Sequence, residues 1–152
     1  MIKFLILDFD KGFSKIIRHS EKQVISLGEL GTFDEHGIFP FNVLKDNGII
    51  KAYTTGWSRR TSVSVETSIG YAESCDNGIS FSKLGLGPIF TATLNEPFLV
   101  CDGFVLKEED IYYMYYLFGT KWTDETEDKV SERVYKIGMA TSIDGITWKR
   151  DG

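Results

Sequence analysis

One stretch of this sequence occurs twice, and the repeat limits the folds open to the chain more than any other feature. Val43-Leu44-Lys45 returns as Val105-Leu106-Lys107 at an offset of 62 residues. Gly56-Trp57 returns as Gly119 and Trp122 at offsets of 63 and 65, and Ile69-Gly70 returns as Ile137-Gly138 at 68. The ends of the two units match best, IGYAESCDNGISFSK (69–83) against IGMATSIDGITWKR (137–150). A fainter copy, DFDKGFSKI (8–16), opens the chain. Repeats of this length are supersecondary units that bury their apolar faces against their neighbours.

Each unit reads as four strands, roughly 38–45, 49–56, 68–75 and 79–84 in the first and 102–107, 111–119, 134–142 and 146–150 in the second. Prolines number only three and aromatics reach 14%, with β-branched residues dominating the apolar runs, which favours strands over helices. Asn47-Gly48, Asn77-Gly78 and Asp144-Gly145 tolerate positive φ and suit tight hairpin turns. Aromatics on both faces of Ile111–Phe118 predict a strand buried on both sides. Four-stranded antiparallel units repeating in this way predict an all-β chain of β-propeller blades, with residues 31–84 and 94–150 as two blades and 1–30 as the end of a preceding blade and its connection. Two blades leave faces uncovered, which predicts either a fragment of a larger ring or a homo-oligomer.

Antiparallel order sorts the loops between two ends. The tight turns lie at one end, whereas GTFDEHG (31–37), WSRRTSVSVET (57–67) and KWTDETEDKVSER (121–133) gather at the other, where sites are usually built. Alignment on Val43 and Val105 sets Asp34 over Glu96, so successive blades offer a carboxylate at the same spot. Paired carboxylates are what acid–base cleavage of a glycosidic bond requires. Asp102 is a third candidate, and its repeat partner is Pro40. Glu35 and His36 read either as substrate contacts or as the chemistry of a turn. Trp57, Arg59, Arg60 and Trp122 combine flat apolar faces with forked donors, a set that suits sugar rings; the alternative for the arginines is an ion pair with Glu66 or Glu73.

Ser-x-Asp followed by Gly-x-x-aromatic, with one residue between them in SCDNGISF (74–81) and none in SIDGITW (142–148), is similar to the Asp-box of sialidase propellers, a hairpin-folding device, so Asp76 and Asp144 are expected to be structural. No phosphate loop, nucleophile elbow or zinc constellation is present, only His19 and His36 being available; neither a metal nor a cofactor is expected. The net charge of −5, with both signs interspersed, offers no basic stripe for nucleic acid. The opening MIKFLILDF lacks the features of a secretory signal and no stretch has the length of a membrane span, so a membrane is not expected as partner and the cytoplasm is the expected location. Cys75 and Cys101 read as two free, buried thiols.

With the repeat, GTFDEHGIFP, GWSRR and the IGxAxSxDG tails together, the chain resembles the five-bladed β-propeller glycosidases of glycoside hydrolase families 43 and 32 and the related family 130 phosphorylases. The resemblance implies a funnel-shaped carbohydrate site at the propeller axis, with acidic residues from the inner strands of successive blades. By matching position these are Asp34 and Glu96, or Asp102. Because such sites draw on three blades and this chain supplies two, the resemblance implies an incomplete site and a chain inactive on glycosides by itself. The alternative is a noncatalytic unit that binds carbohydrate or assembles with itself.

Overall fold

The two repeats fold as two antiparallel sheets of the same order. The computed structural model describes residues 2–3, 5–10, 13–123 and 132–151. A two-stranded ribbon comes first, β1 (Leu5–Asp10) and β2 (Phe13–His19). The first four-stranded sheet has the order β3 (Gly37–Asp46), β4 (Ile49–Arg59), β5 (Val65–Ser74), β6 (Ser82–Lys83). The second runs β7 (Val100–Glu108), β8 (Ile111–Trp122), β9 (Arg133–Ser142), β10 (Lys149–Arg150). Both are β-propeller blades, and the described residues contain no helix. No helix among them is long and apolar enough to cross a membrane.

Turn chemistry explains the joins. Asn47 and Gly48 both take positive φ (49° and 83°) between the paired Asp46 and Ile49, as a two-residue hairpin with the right twist requires. In the first tail Ser74 Oγ donates to Asp76 Oδ1 (2.7 Å), and that oxygen also accepts from the Ile79 and Ser80 amides (3.0 and 2.9 Å). The second tail repeats the arrangement, with Ser142 Oγ, Ile146 N and Thr147 N donating to Asp144 Oδ1 (2.9, 2.7 and 2.7 Å). Together with the Ser80 hydroxyl, whose bond to Asp76 Oδ2 (2.6 Å) is the largest influence on that group, these bonds hold both carboxyls well below the ordinary range, at about 2. They also withdraw amides from the sheet ladder, which is why the fourth strands shrink to two residues each where 79–84 and 146–150 are predicted.

The second strands differ the other way. Trp57, Ser58 and Arg59 pair with Thr67, Glu66 and Val65, so the predicted loop 57–67 narrows to 60–64. Likewise Trp122 pairs with Arg133. Part of the predicted loop 121–133, residues 124–131, lies outside the described residues. A further correction concerns β8. Tyr112, Met114 and Tyr116 are buried but Ile111 and Tyr115 are exposed, so this strand buries one face rather than two.

The main core lies between the blades. Tyr53, Ile69 and Tyr71 of the first meet Val100, Val105, Tyr112, Met114 and Tyr116 of the second. At β7, Gly103 matters because an added Cβ would stand 2.9 Å from Ile69 Cδ1. A polar clasp closes the turn end of this interface. Asp46 accepts from Lys107 Nζ (2.9 Å) and from the Tyr112 hydroxyl, and Lys51 Nζ donates to that same hydroxyl (2.8 Å). The Tyr112 and Lys107 hydrogen bonds bring the Asp46 carboxyl down to about 2. Of the two free cysteines Cys101 is buried and Cys75 is exposed, which corrects the expectation for Cys75: it sits in the turn of the first Asp-box, outside the blade core.

Candidate functional site

The segment 28–36 crosses the first blade as a folded turn. Gly31, at φ 86°, donates its amide to Glu35 Oε2 (2.8 Å), and Thr32 Oγ1 donates to the Glu29 carbonyl (2.7 Å). Phe33 lies over Gly56 and Gly70, where added Cβ atoms would come within 2.5 Å of its ring. This close approach carries Asp34 into the interior, only 1% exposed. There it forms an ion pair with Lys83 of β6, and its Oδ1 lies 3.1 Å from Thr32 Oγ1, whose single hydrogen it shares with the Glu29 carbonyl.

Glu96 has the equivalent place in the second blade and an equivalent partner. Arg150 of β10 donates to Glu96 Oε2 through Nε (2.7 Å), while the Tyr116 hydroxyl donates to Oε1 (2.7 Å). Burial and this acceptor push the Tyr116 hydroxyl up to about 12. Arg150 also lies over the Phe90 ring, 3.7 Å from its centroid. Lys83 and Arg150 close the two matched tails, so the repeat encodes both halves of each pair. Asp34 and Glu96 therefore tie the loop that precedes each blade to that blade's outermost strand, and no partner joins them to each other among the described residues.

Glu35, His36 and Trp57 meet at the edge of the first blade. The His36 amide donates to the Trp57 carbonyl (3.3 Å), and the two rings stack with centroids 6.0 Å apart. His36 Nδ1 faces both the Arg59 amide (3.4 Å) and Glu35 Oε1 (3.4 Å). One nitrogen cannot serve both: bare, it accepts from Arg59, and protonated, it donates to Glu35. Arg60 pairs with Glu66 through Nε (2.6 Å). This is the ion-pair alternative for one of the tandem arginines, while the Arg59 side chain is exposed.

Asp102 occupies a different setting. It sits at a register shift in β7 with φ 55°, a left-handed conformation that Asp tolerates better than most residues, and its amide donates to Thr55 Oγ1 of the first blade (2.8 Å). Its repeat partner Pro40 marks a matching register shift in β3. The two shifts open a cleft of about 360 Å³ between the blades, lined by Phe39, Trp57, Asp102, Arg133 and Tyr135 together with the Cys101 region of β7. The cleft walls push the Asp102 carboxyl above its ordinary value, an effect the neighbouring Cys101 thiol opposes by hydrogen bonding. Burial and the Asp102 charge push that thiol up to about 12. Arg133 lies over the Trp122 and Tyr135 rings, 5.6 and 6.0 Å from their centroids. The cleft thus brings together Asp102, Trp57 and, through Arg133, Trp122. Arg133 and Tyr135 themselves are not among the sequence candidates: Arg133 ends the predicted loop 121–133, and Tyr135 falls in the predicted strand 134–142.

No protein-family model matches the chain. Two uncharacterized proteins of Mycobacterium tuberculosis, from strains CDC 1551 and H37Rv, are each 25% identical to it over 146 residues. The match covers 96% of this chain and 47% of either relative, so the chain spans about half the length of the curated relatives it matches. Among solved structures, one from the GH130 family of mannoside phosphorylases, which contains glycoside hydrolases that target β-1,2 mannosidic linkages in Candida mannan, superposes with a TM-score of 0.67 at 16% identity. That likeness covers 98% of this chain and 41% of the other. A glycosyl hydrolase from Bacteroides ovatus gives a TM-score of 0.59 at 19% identity, over 78% of this chain and 32% of its own. At these identities the likeness is one of fold.

Proposed function

We propose that this chain is a glycoside hydrolase-like β-propeller unit of the five-bladed type, related to families 43, 32 and 130, that binds carbohydrate in the cleft around Asp102. The observation that carries the reading is the company Asp102 keeps: a carboxyl raised above its ordinary value, an indole, a tyrosine and a guanidinium around one open cleft between blades, with a second indole, Trp122, beneath that guanidinium. Sugar rings present C–H faces that stack on aromatics and hydroxyls that a carboxyl and a guanidinium hold in place. Asp34 and Glu96 keep a share in this reading as the anchors that fix the loops around the axis, while Glu35 and His36 orient Trp57. Residues 31–84 and 94–150 act as blades, and 1–30 as the end of a preceding one, in a cytoplasmic protein.

Fold neighbours described as glycoside hydrolases favour a second reading, in which the site also cleaves glycosides. Hydrolysis needs two carboxyls about 5–9.5 Å apart across the scissile bond. Asp102 is the candidate for the first of them, while Asp34 and Glu96 lie outside the cleft lining, each held in an ion pair, with Lys83 and Arg150. In this proposal the chain alone binds sugar without turning it over, because the resemblance implies a site drawn from three blades and this chain supplies two. Calorimetric titration with neutral mono- and disaccharides tests the binding, with Asp102→Asn expected to weaken it by about ten-fold, the scale of one hydrogen bond to a charged group. Turnover of aryl glycosides by the wild type, lost in Asp34→Asn, would replace this reading with the catalytic one.

A further inference from the structure

Elsewhere on the two blades, basic side chains face acids. Lys83 takes Asp34, Arg150 takes Glu96, Lys51 and Lys107 take Asp46, and Arg60 takes Glu66. Arg133 is different. It lines the cleft with Asp102, no ion pair joins the two, and it enters no other ion pair among the described residues. What holds it is aromatic: the guanidinium lies over the Trp122 and Tyr135 rings, 5.6 and 6.0 Å from their centroids. Stacking uses the face of the guanidinium plane and leaves the N–H donors around its edge to point elsewhere. The residue is exposed, so that edge is open to a ligand. Its charge also reaches into the cleft. Burial, above all, pushes the Tyr135 hydroxyl and the Cys101 thiol up, and the Arg133 charge opposes the push on both.

A neutral sugar uses only part of this cleft. Its ring stacks on the aromatic wall, where Trp57 stands and Phe39 is 76% exposed, and its hydroxyls donate to Asp102, but nothing in it neutralises Arg133. We propose that the cleft selects a sugar that carries a carboxylate, a hexuronic acid, with the ring against the aromatic wall and the carboxylate in the Arg133 fork. The inference rests on the carbohydrate-binding reading above and adds the class of sugar. A planar carboxylate accepts two parallel N–H bonds from a guanidinium, each roughly twice as strong as its neutral equivalent. A phosphorylated sugar fits less well. Its phosphate brings about 1.5 to 2 negative charges at pH 7 toward a cleft that already holds the Asp102 carboxyl, and a single guanidinium offsets only part of them. The carboxylate of a uronic acid is offset one for one.

Calorimetric titration of the chain at pH 7 with a hexuronic acid, its methyl ester and the parent neutral hexose, in the gluco, galacto and manno series, tests the inference, because within a series the three differ only at C6. In the series that binds best, the acid should bind about ten-fold tighter than the ester or the neutral sugar, the scale of charge-assisted hydrogen bonds to one guanidinium. Added salt should shrink that ratio. Arg133→Gln should bring it close to one, and Arg133→Lys, which keeps the charge and loses the fork, should keep part of it. Inorganic phosphate at the same concentration should not displace the acid. A neutral sugar that binds as tightly as its acid overturns the inference and leaves the carbohydrate-binding reading standing, whereas a failure of all the sugars to bind overturns both. A preference for the acid that survives Arg133→Gln also overturns it, as does phosphate that competes as well as the uronic acid.

Discussion

Lys83→Met is the most informative single change to the scaffold. It leaves the Asp34 carboxylate, 1% exposed, with the Thr32 hydroxyl as its remaining side-chain partner. Removing one member of a buried pair costs about 3–5 kcal/mol, because the survivor is an uncompensated charge. A domain of this size has about 5–15 kcal/mol of stability in all. With a urea m-value of about 2 kcal/mol/M, the midpoint should fall by about 2 M. Asp34→Asn keeps the shape and leaves the charge on Lys83, whose stem reaches partial solvent, so its cost is smaller, about 1–3 kcal/mol. The double variant should then cost less than the sum of the two, and the difference measures the coupling. Arg150→Met at the repeat-equivalent position costs about 1–3 kcal/mol, since Tyr116 still serves Glu96. Urea unfolding followed by tryptophan fluorescence reads all four. A loss below about 1 kcal/mol in Lys83→Met would refute the anchoring role, since that is the range of a surface pair.

Three other outcomes follow from the geometry. The Asp46, Asp76 and Asp144 carboxyls titrate at about 2 in the folded chain against 3.8 ordinarily, so their stabilisation is present above pH 4 and is lost as pH falls toward 2; urea midpoints across that window should fall less steeply in Asp144→Asn than in wild type. Gly70→Ala drives a methyl to 2.5 Å from Phe33 Cζ and 2.8 Å from Thr54 Oγ1, and an overpacking cost of about 1–3 kcal/mol should appear in the same unfolding assay. Exposed Cys75 should react with a thiol reagent in the native state while Cys101, buried and pushed up to about 12, reacts only on unfolding, so mass spectrometry should find one adduct and then two.

Much of this fold is legible in the sequence because it is written twice. Asn47-Gly48 and the Asp-box tails locate the turns by local chemistry, and the repeat sets the strands between them. What it does not yield are the places where local and long-range demands compete. The fourth strands end early because Asp76 and Asp144 take up amides the ladder would use. The second strands run on because Val65 and Thr67 continue the pairing past a stretch that reads as loop. For the site, positional matching finds Asp34 and Glu96 but not their partners' meaning: Lys83 and Arg150 lie about 50 residues away, in tails that look purely structural. Asp102 stands out only once its register shift, its φ of 55° and its place opposite Trp57 are seen together.

The chain's three tryptophans give the most direct test of the cleft. Trp57 lines it and Trp122 lies under the lining residue Arg133, whereas Trp148 packs beside Tyr53 in the interface between the blades. Following the three indole N–H resonances while titrating neutral mono- and disaccharides should shift Trp57 and Trp122, leave Trp148 in place, and lose both shifts in Asp102→Asn. Saturating sugar that moves none of the three, or moves Trp148 alone, would contradict the account.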